Sequence, residues 1–309
     1  MLYPAQNLPL STLTLDDWQL VKVSGADNSK FLQGQLTADI NQLNESHWLL
    51  SVHCDPKGKT LSNLLLFKRA DNIYYIVRKS VLDRQIDALK KFAIFSKVTI
   101  AADFSLTMMG LVGRNITSVQ IEELTKLTKT NNCATIKNLT YIKIDYPEPR
   151  YIVIGPSQDM ASLSVLTHLP HSSSQQWTLL DMQANYPIID LKASEQFLPQ
   201  AFNLQLFDAI SFTKGCYCGQ EMVARAQYRG INKRALYLLT GKEGILPAVG
   251  ETLEQKIGDN WRETGFILTS LKLQDNTIWV QAILNNDLSQ DEMIFRLKNS
   301  QQSLSVYKK

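Results

Sequence analysis

Residues 211–234 hold the densest set of chemically capable side chains in the chain. They read Ser-Phe-Thr-Lys-Gly-Cys-Tyr-Cys-Gly-Gln-Glu-Met-Val-Ala-Arg-Ala-Gln-Tyr-Arg-Gly-Ile-Asn-Lys-Arg. Cys216 is the candidate nucleophile, because a thiolate is the reactive form of cysteine. From about Gln220 the pattern turns helical, with Met222, Val223 and Ala226 on one face. Cys216 and Cys218 therefore precede a helix N-terminus, where free N–H groups and the helix dipole favour an anion. Lys214 adds a positive charge two residues away, and the two effects together favour thiolate. Glu221, in the first turn, opposes them. Gly215 and Gly219 permit a tight turn or a close backbone approach. The same residues also fit a buried cysteine that packs as a small hydrophobe, and exposure separates the two readings.

Two other groupings in the segment carry chemistry. If the stretch is extended, Cys216 and Cys218 share a face. They could then form half of a metal site, completed only if His53 and Cys54 come near, since closed sites take about four ligands. The expectation is no resident metal. Arg225, Arg229, Lys233 and Arg234 form the densest basic run, with Arg225 and Arg229 on one helical face. That run reads either as a solvated surface or as a site for an anionic ligand tail or RNA phosphates.

The elements that must position these groups alternate between helix and strand up to about residue 230. Asp27 is placed to cap a helix with Phe31, Leu32 and Leu36 on its apolar face. Strand-like runs follow at Trp48–Cys54 and Leu61–Phe67, joined by the turn Asp55-Pro56-Lys57-Gly58, and at Ile73–Val77. Ser80 and Asp83 resemble a capping box ahead of a helix burying Leu82, Ile86 and Leu89. Short strands are expected at Val98–Ala101, Leu106–Val112, Tyr141–Tyr146 and Tyr151–Ile154, with helices at 157–168 and 174–184. This order predicts α+β lobes of the split βαβ type. After about Gly230 the pattern is strands and turns, at Ala235–Thr240, Phe266–Lys272, Thr277–Leu284 and Met293–Leu297. That predicts a small all-β barrel or sandwich.

Composition narrows the class. The 309 residues are 44% hydrophobic and 20% charged, ordinary for a globular protein. A net charge of +3 does not support broad nucleic-acid binding, which needs clustered cations. Four cysteines are too few for a disulfide scaffold, so a reducing, cytoplasmic setting is expected. No membrane span or signal peptide is expected from the apolar pattern.

The stretch Lys214–Glu221 followed by Arg225 resembles the signature of the YgfZ family of folate-binding, tRNA-modifying proteins. The resemblance extends to Thr14-Leu15-Asp16-Asp17-Trp18, Gln33-Gly34-Gln35-Leu36-Thr37-Ala38-Asp39, Phe95-Ser96-Lys97-Val98-Thr99-Ile100, and from Phe197-Leu198-Pro199-Gln200-Ala201 to Asn232-Lys233-Arg234. It implies a fold like the aminomethyltransferase (T-protein) of the glycine cleavage system. In that fold two interleaved ferredoxin-like lobes and a C-terminal β-barrel surround a central hole for tetrahydrofolate. The boundaries it suggests are a folate-binding region at 1–230, with a lobe inserted at about 47–112, and a barrel at 231–309. It further implies support of iron–sulfur enzymes that methylthiolate tRNA, with those enzymes as clients, and an influence on replication initiation; direct contact with tRNA rests only on the 225–234 basic run. Cys216 and Lys214 would act in catalysis, and Trp18, Trp177, Gln183, Tyr217 and Arg225 would contact the folate. A flat pterin gains about 0.5–1.5 kcal/mol from an indole face beyond area burial.

Two departures from the resemblance qualify it. Where the aminomethyltransferases carry an Asp pair, this chain has Ser62 and Asn63, which are not bases at neutral pH, so aminomethyl transfer is disfavoured. Where relatives often carry Glu, it has Gln183, which offers an acceptor but no charge-assisted bond.

Overall fold

Strands between Trp18 and Asp103 assemble around one long segment that is buried on both faces. The computed structural model describes residues 1–309 except 117–120, 164, 165, 167, 243, 289–292, 299, 301 and 308–309. Its first elements are β1 (Ser11–Thr14), β2 (Trp18–Ser24), α1 (Asn28–Gln35), β3 (Leu49–Cys54), β4 (Thr60–Arg69), β5 (Asn72–Arg78), α2 (Leu82–Lys90) and β6 (Thr99–Asp103). Strands β2 to β6 form an antiparallel sheet in the order β3-β4-β5-β2-β6. Without the edge strand β3, this is the ferredoxin-like order. Helices α1 and α2 cover one face, where Phe31, Leu32, Ile86 and Leu89 meet Val21, Val23, Leu66 and Tyr75. The other face is also buried, so β4 runs Leu-Ser-Asn-Leu-Leu-Leu-Phe without clean alternation.

A second sheet is built around the first. Its elements are β7 (Thr107–Val112), α3 (Glu122–Thr125), β8 (Cys133–Ile136), β9 (Leu139–Ile144), β10 (Arg150–Gly155), α4 (Ser157–Ala161) and β11 (His171–Ser172). The strand order is β11-β1-β7-β10-β9-β8. Strand β1 pairs antiparallel with β7 and so completes a sheet whose other strands come about a hundred residues later. The stretch threaded into this sheet begins near Trp18 rather than near residue 47, because β2 is the partner of both β5 and β6. The free faces of the two sheets share one core with α5 (Ser174–Gln183), including Leu20, Leu65, Ile76, Ile142, Ile152, Trp177 and Leu180.

After α6 (Gln220–Arg229) the chain forms an antiparallel sheet of β12 (Arg234–Lys242), β13 (Leu253–Ile257), β14 (Asn260–Thr264), β15 (Phe266–Lys272), β16 (Thr277–Asn285), β17 (Ile294–Leu297) and β18 (Ser303–Val306). Leu239, Leu253, Val280, Phe295 and Leu304 form its own core. Gln281 ties this unit to the lobes, accepting from the Ile188 N–H and donating to the Tyr186 carbonyl.

Several local expectations need correction. Asp27 stands at the N-cap of α1, but its carboxylate accepts from the Lys97 N–H instead of capping the helix. Val81 holds the N-cap of α2, and Ser80 donates to Asp190, so no capping box forms. The helix expected over 157–168 is described as α4 only to Ala161, and residues 164, 165 and 167 lie outside the described set. Strands β13, β14 and β18 were not anticipated, because their exposed, polar positions weaken the strand pattern.

Burial also sets a pH dependence. His53 on β3 is fully buried beside Gln85, whose other amide atom accepts from the Tyr75 hydroxyl. Desolvation lowers its pKa from 6.5 to about 4. The unfolded chain therefore binds a proton that the folded chain refuses, and stability falls as pH drops from 6.5 toward 4. Urea unfolding should show a loss of order 3 kcal/mol across that window, and a His53→Gln variant should flatten it.

Candidate functional site

The cysteine motif is built on a contact between two tight turns. Gly58 closes the β3–β4 turn, its N–H donating to the Asp55 carbonyl. Gly219, at the start of α6, has φ +81°, and a Cβ placed there would lie 2.5 Å from the Asp55 carbonyl oxygen. Only glycine allows both the left-handed conformation and that approach. The turn of the first lobe is thus pressed against the motif. Gln200, in the 3-10 helix Pro199–Phe202, separately anchors α6 by donating to the Val223 carbonyl.

Lys214 is part of this framework. Its ammonium donates to the carbonyls of Gln33, Leu36 and Ala38 at 2.7, 2.8 and 2.7 Å. An ammonium has three donors, so its capacity is spent where the chain leaves α1. Burial lowers its pKa to about 8, opposed by the Asp39 charge. Lys214 is therefore a positioning residue, not the cation expected to serve the thiol. Its Nζ also lies 5.4 Å from the ring centre of the buried Tyr217.

All four cysteines are free, and Cys216 is the exposed one. Cys54 and Cys133 are buried, and burial pushes both thiols up, Cys133 to about 12. Cys218 is half-buried and is raised by burial and by the Asp55 charge. Among the described residues no three His, Cys, Asp or Glu side chains are grouped to hold a metal. Cys216, Tyr217 and Cys218 line a shallow depression together with Gly34, Gln35, Pro56, Phe92 and Gly219.

A separate cavity opens where the two sheets face each other. Its enclosed volume is about 40 Å³, room for a few water molecules, so a larger ligand enters only if lining side chains move. Trp18 and Trp177 both line it, with Leu50, Asn63, Tyr146, Tyr186, Arg78, Arg150 and Asp181. The cavity thus brings the two tryptophans together, but it shares no lining residue with the depression at Cys216. The thiol expected beside the indoles faces elsewhere, because the motif docks on the β3–β4 turn and not on the sheet face.

Two arginines dominate the cavity. Arg78 is bound in a fork by Asp190, at 3.0 and 3.1 Å, and its guanidinium carbon lies 4.6 Å from the Trp18 ring centre. Arg150 is only 2% exposed, bonds Asp181 at 2.5 Å, and lies 4.2 Å from the Trp177 ring centre. Each indole therefore has one face occupied by a cation, so a flat ring must layer onto the guanidinium, displace it or use the other face. Arg150 Nε and Nη1 are buried without a hydrogen-bond partner, and Arg78 Nη1, also without a hydrogen bond, lies 3.8 Å from the Asp17 carboxylate. Burial pushes the Asp181 carboxyl up, and Arg150 opposes this. Asn63 lies in the wall and donates to the Pro187 carbonyl, so it offers no base.

Three expected folate contacts lie outside the cavity. Gln183 accepts from the Ala5 N–H and donates to Gln6, because residues two apart on α5 face different ways. The carboxylate that does face the cavity is Asp181, four residues after Trp177 on the same side of the helix. Tyr217 lines the depression at the thiol. Arg225 is exposed and paired with Glu221 at 2.6 Å. The sequence reading missed Arg78, Arg150 and Asp181. The available signal was a charged residue at the end of an apolar strand (Arg78, Arg150), or an Asp in register with a tryptophan (Asp181).

Residues 232–300 match the family model described as the YgfZ β-barrel domain. The chain is 45% identical over 293 residues to the tRNA-modifying protein YgfZ of Yersinia pseudotuberculosis serotype O:1b (strain IP 31758), covering 94% of this chain and 89% of that one. It is 44% identical over 306 residues to the protein of the same name from Yersinia enterocolitica serotype O:8, covering 98% and 92%. Among solved structures, the glycine cleavage system aminomethyltransferase T from Bartonella henselae superposes with a TM-score of 0.76 at 13% identity, covering 100% of this chain and 90% of that one. The T-protein-like architecture expected from the sequence is the fold of this chain.

Lys214→Met leaves three carbonyls without their charged donor and should cost about 2–4 kcal/mol in urea unfolding. Cys216→Ser changes an exposed side chain and should stay within about 0.5 kcal/mol of the parent.

Proposed function

Because the chain belongs to the YgfZ family, we propose that it serves tRNA modification by binding a tetrahydrofolate-type cofactor between its lobes and presenting Cys216 to an iron–sulfur client enzyme. The observation that carries the folate part is the pair of buried Arg150 nitrogens without a hydrogen-bond partner, beside Asp181 and two indoles. A pterin has a ring carbonyl and ring nitrogens that accept hydrogen bonds. It also has an amino group and a ring N–H that donate them. Arg78 and Arg150 supply the donors, Asp181 the acceptor, and the tryptophans a flat apolar wall. The donor and acceptor set present therefore matches the group, and the enclosed space of about 40 Å³ requires the guanidiniums to move as the ring enters. When bound, a tetrahydrofolate would supply a one-carbon unit held on N5 of its pteridine ring, on N10 of its aminobenzoyl link, or bridging the two.

The chain's own residues do the rest. Asp190 orients Arg78 and Asp181 orients Arg150, so the ligand meets preset donors. Gln281 fixes the 186–188 wall from the C-terminal sheet. The thiol lies in its own depression, so cofactor and sulfur act at separate places on one scaffold. Support of an enzyme fits that separation better than aminomethyl transfer. Asn63 in the wall carries no proton-accepting carboxylate, which further disfavours transfer.

Calorimetric titration with tetrahydrofolate should give saturable binding that Arg150→Met weakens at least about tenfold, a charge-assisted bond being worth about 1.5–3 kcal/mol. Cys216→Ala should bind tetrahydrofolate like the parent, yet fail to restore tRNA methylthiolation in a strain lacking its own copy. Full restoration by that variant, or no binding by the parent, would refute the proposal.

A further inference from the structure

The depression at Cys216 has a wall that the folate cavity does not explain. Phe92 lines it, within the segment Lys90-Lys91-Phe92-Ala93-Ile94-Phe95-Ser96-Lys97 that follows α2. Phe92 is 49% exposed, Ile94 77% and Phe95 98%. Large apolar side chains left in water, one of them sharing a depression with a free thiol, mark a surface that something covers. The cations around them are Lys90, Lys91 and Lys97, all exposed, and Lys57 beside the lining residue Pro56.

The carboxylates of this region are largely engaged. Asp27 accepts from the Lys97 N–H and Asp55 from the Lys59 N–H. Asp39 accepts from Gln33 and Asn41, and Glu221 is paired with Arg225. Asp87 on α2 is exposed, and the positive charge outweighs it. Lysines interleaved with bare phenylalanines are unlike the centre of a protein–protein interface, where Lys is depleted. They match the stacking platforms and phosphate contacts that hold single-stranded nucleic acid.

We propose that this face binds unpaired nucleotides of an RNA, with bases stacked on Phe92 and Phe95 and phosphates held by Lys57, Lys90, Lys91 and Lys97. The strand would pass the Cys216 thiol. The inference rests on the proposed role in tRNA modification and names the part of the chain that meets the RNA. It moves the RNA contact away from the 225–234 basic run, where Arg225 is already paired with Glu221.

Fluorescence anisotropy with a labelled unpaired oligoribonucleotide, the matching duplex and anionic phospholipid vesicles tests it. The unpaired RNA should bind more tightly than the duplex. Phe92→Ala with Phe95→Ala should weaken binding at least about tenfold. Replacing Lys90, Lys91 and Lys97 with Gln should lower the salt slope by about 2. These side chains are exposed, so unchanged urea unfolding of each variant confirms an intact fold. No RNA binding at low salt, binding that ignores the phenylalanines, or phenylalanine-dependent binding to vesicles alone would overturn the proposal. If RNA binding is absent while tetrahydrofolate binding and rescue persist, only the surface assignment falls. If RNA binds here but Cys216→Ala rescues methylthiolation fully, only the proposed function falls.

Discussion

Arg150 is a charged side chain sealed between two sheets, and the centre of the molecule is arranged around it. Removing an ion from water costs several kcal/mol, and its partner offsets this only with good geometry and filled hydrogen bonds. Arg150 has Asp181 on one nitrogen and Trp177 on a ring face, yet two of its nitrogens have no partner. Arg78 repeats the arrangement against Trp18 and Asp190, with its remaining nitrogen 3.8 Å from the Asp17 carboxylate. An apolar filling would be a more economical core. Donors kept dry and unused at a cavity wall are what a site prepared for an acceptor-rich ligand requires.

The cysteine motif follows a different logic. Its cation, Lys214, is committed to backbone carbonyls at the exit of α1, and its second glycine locks the motif onto the β3–β4 turn. Those contacts bind the two ends of a long sequence separation into one rigid surface. Cys216 is then held in the open by a scaffold that does not depend on the thiol. The architecture thus separates a buried, charged cavity from an exposed sulfur, and both are fixed by the same interleaved lobes.

Much of this is legible in the sequence, and what is not has physical causes. Local pattern found α6 from Gln220, the strand at Phe266–Lys272 and the β3–β4 turn, because period and turn chemistry act over a few residues. The threading of β2–β6 between β1 and β7 was not legible, since no local signal records which distant strand β1 will pair with. Trp18 and Trp177 were placed at the cavity through resemblance alone, their surroundings being as apolar as any core. Arg78, Arg150 and Asp181 escaped because burial is decided by the meeting of two sheets. Lys214 was misread for the same reason: its three carbonyl partners lie about 180 residues away in sequence.

The central claim is that the dry guanidinium nitrogens await a pterin. A crystal structure of the protein with tetrahydrofolate tests it most directly. The account predicts the ring between the lobes, accepting from Arg150 Nε or Nη1 and donating to Asp181. A ring bound elsewhere, with those nitrogens still unpaired, would contradict it.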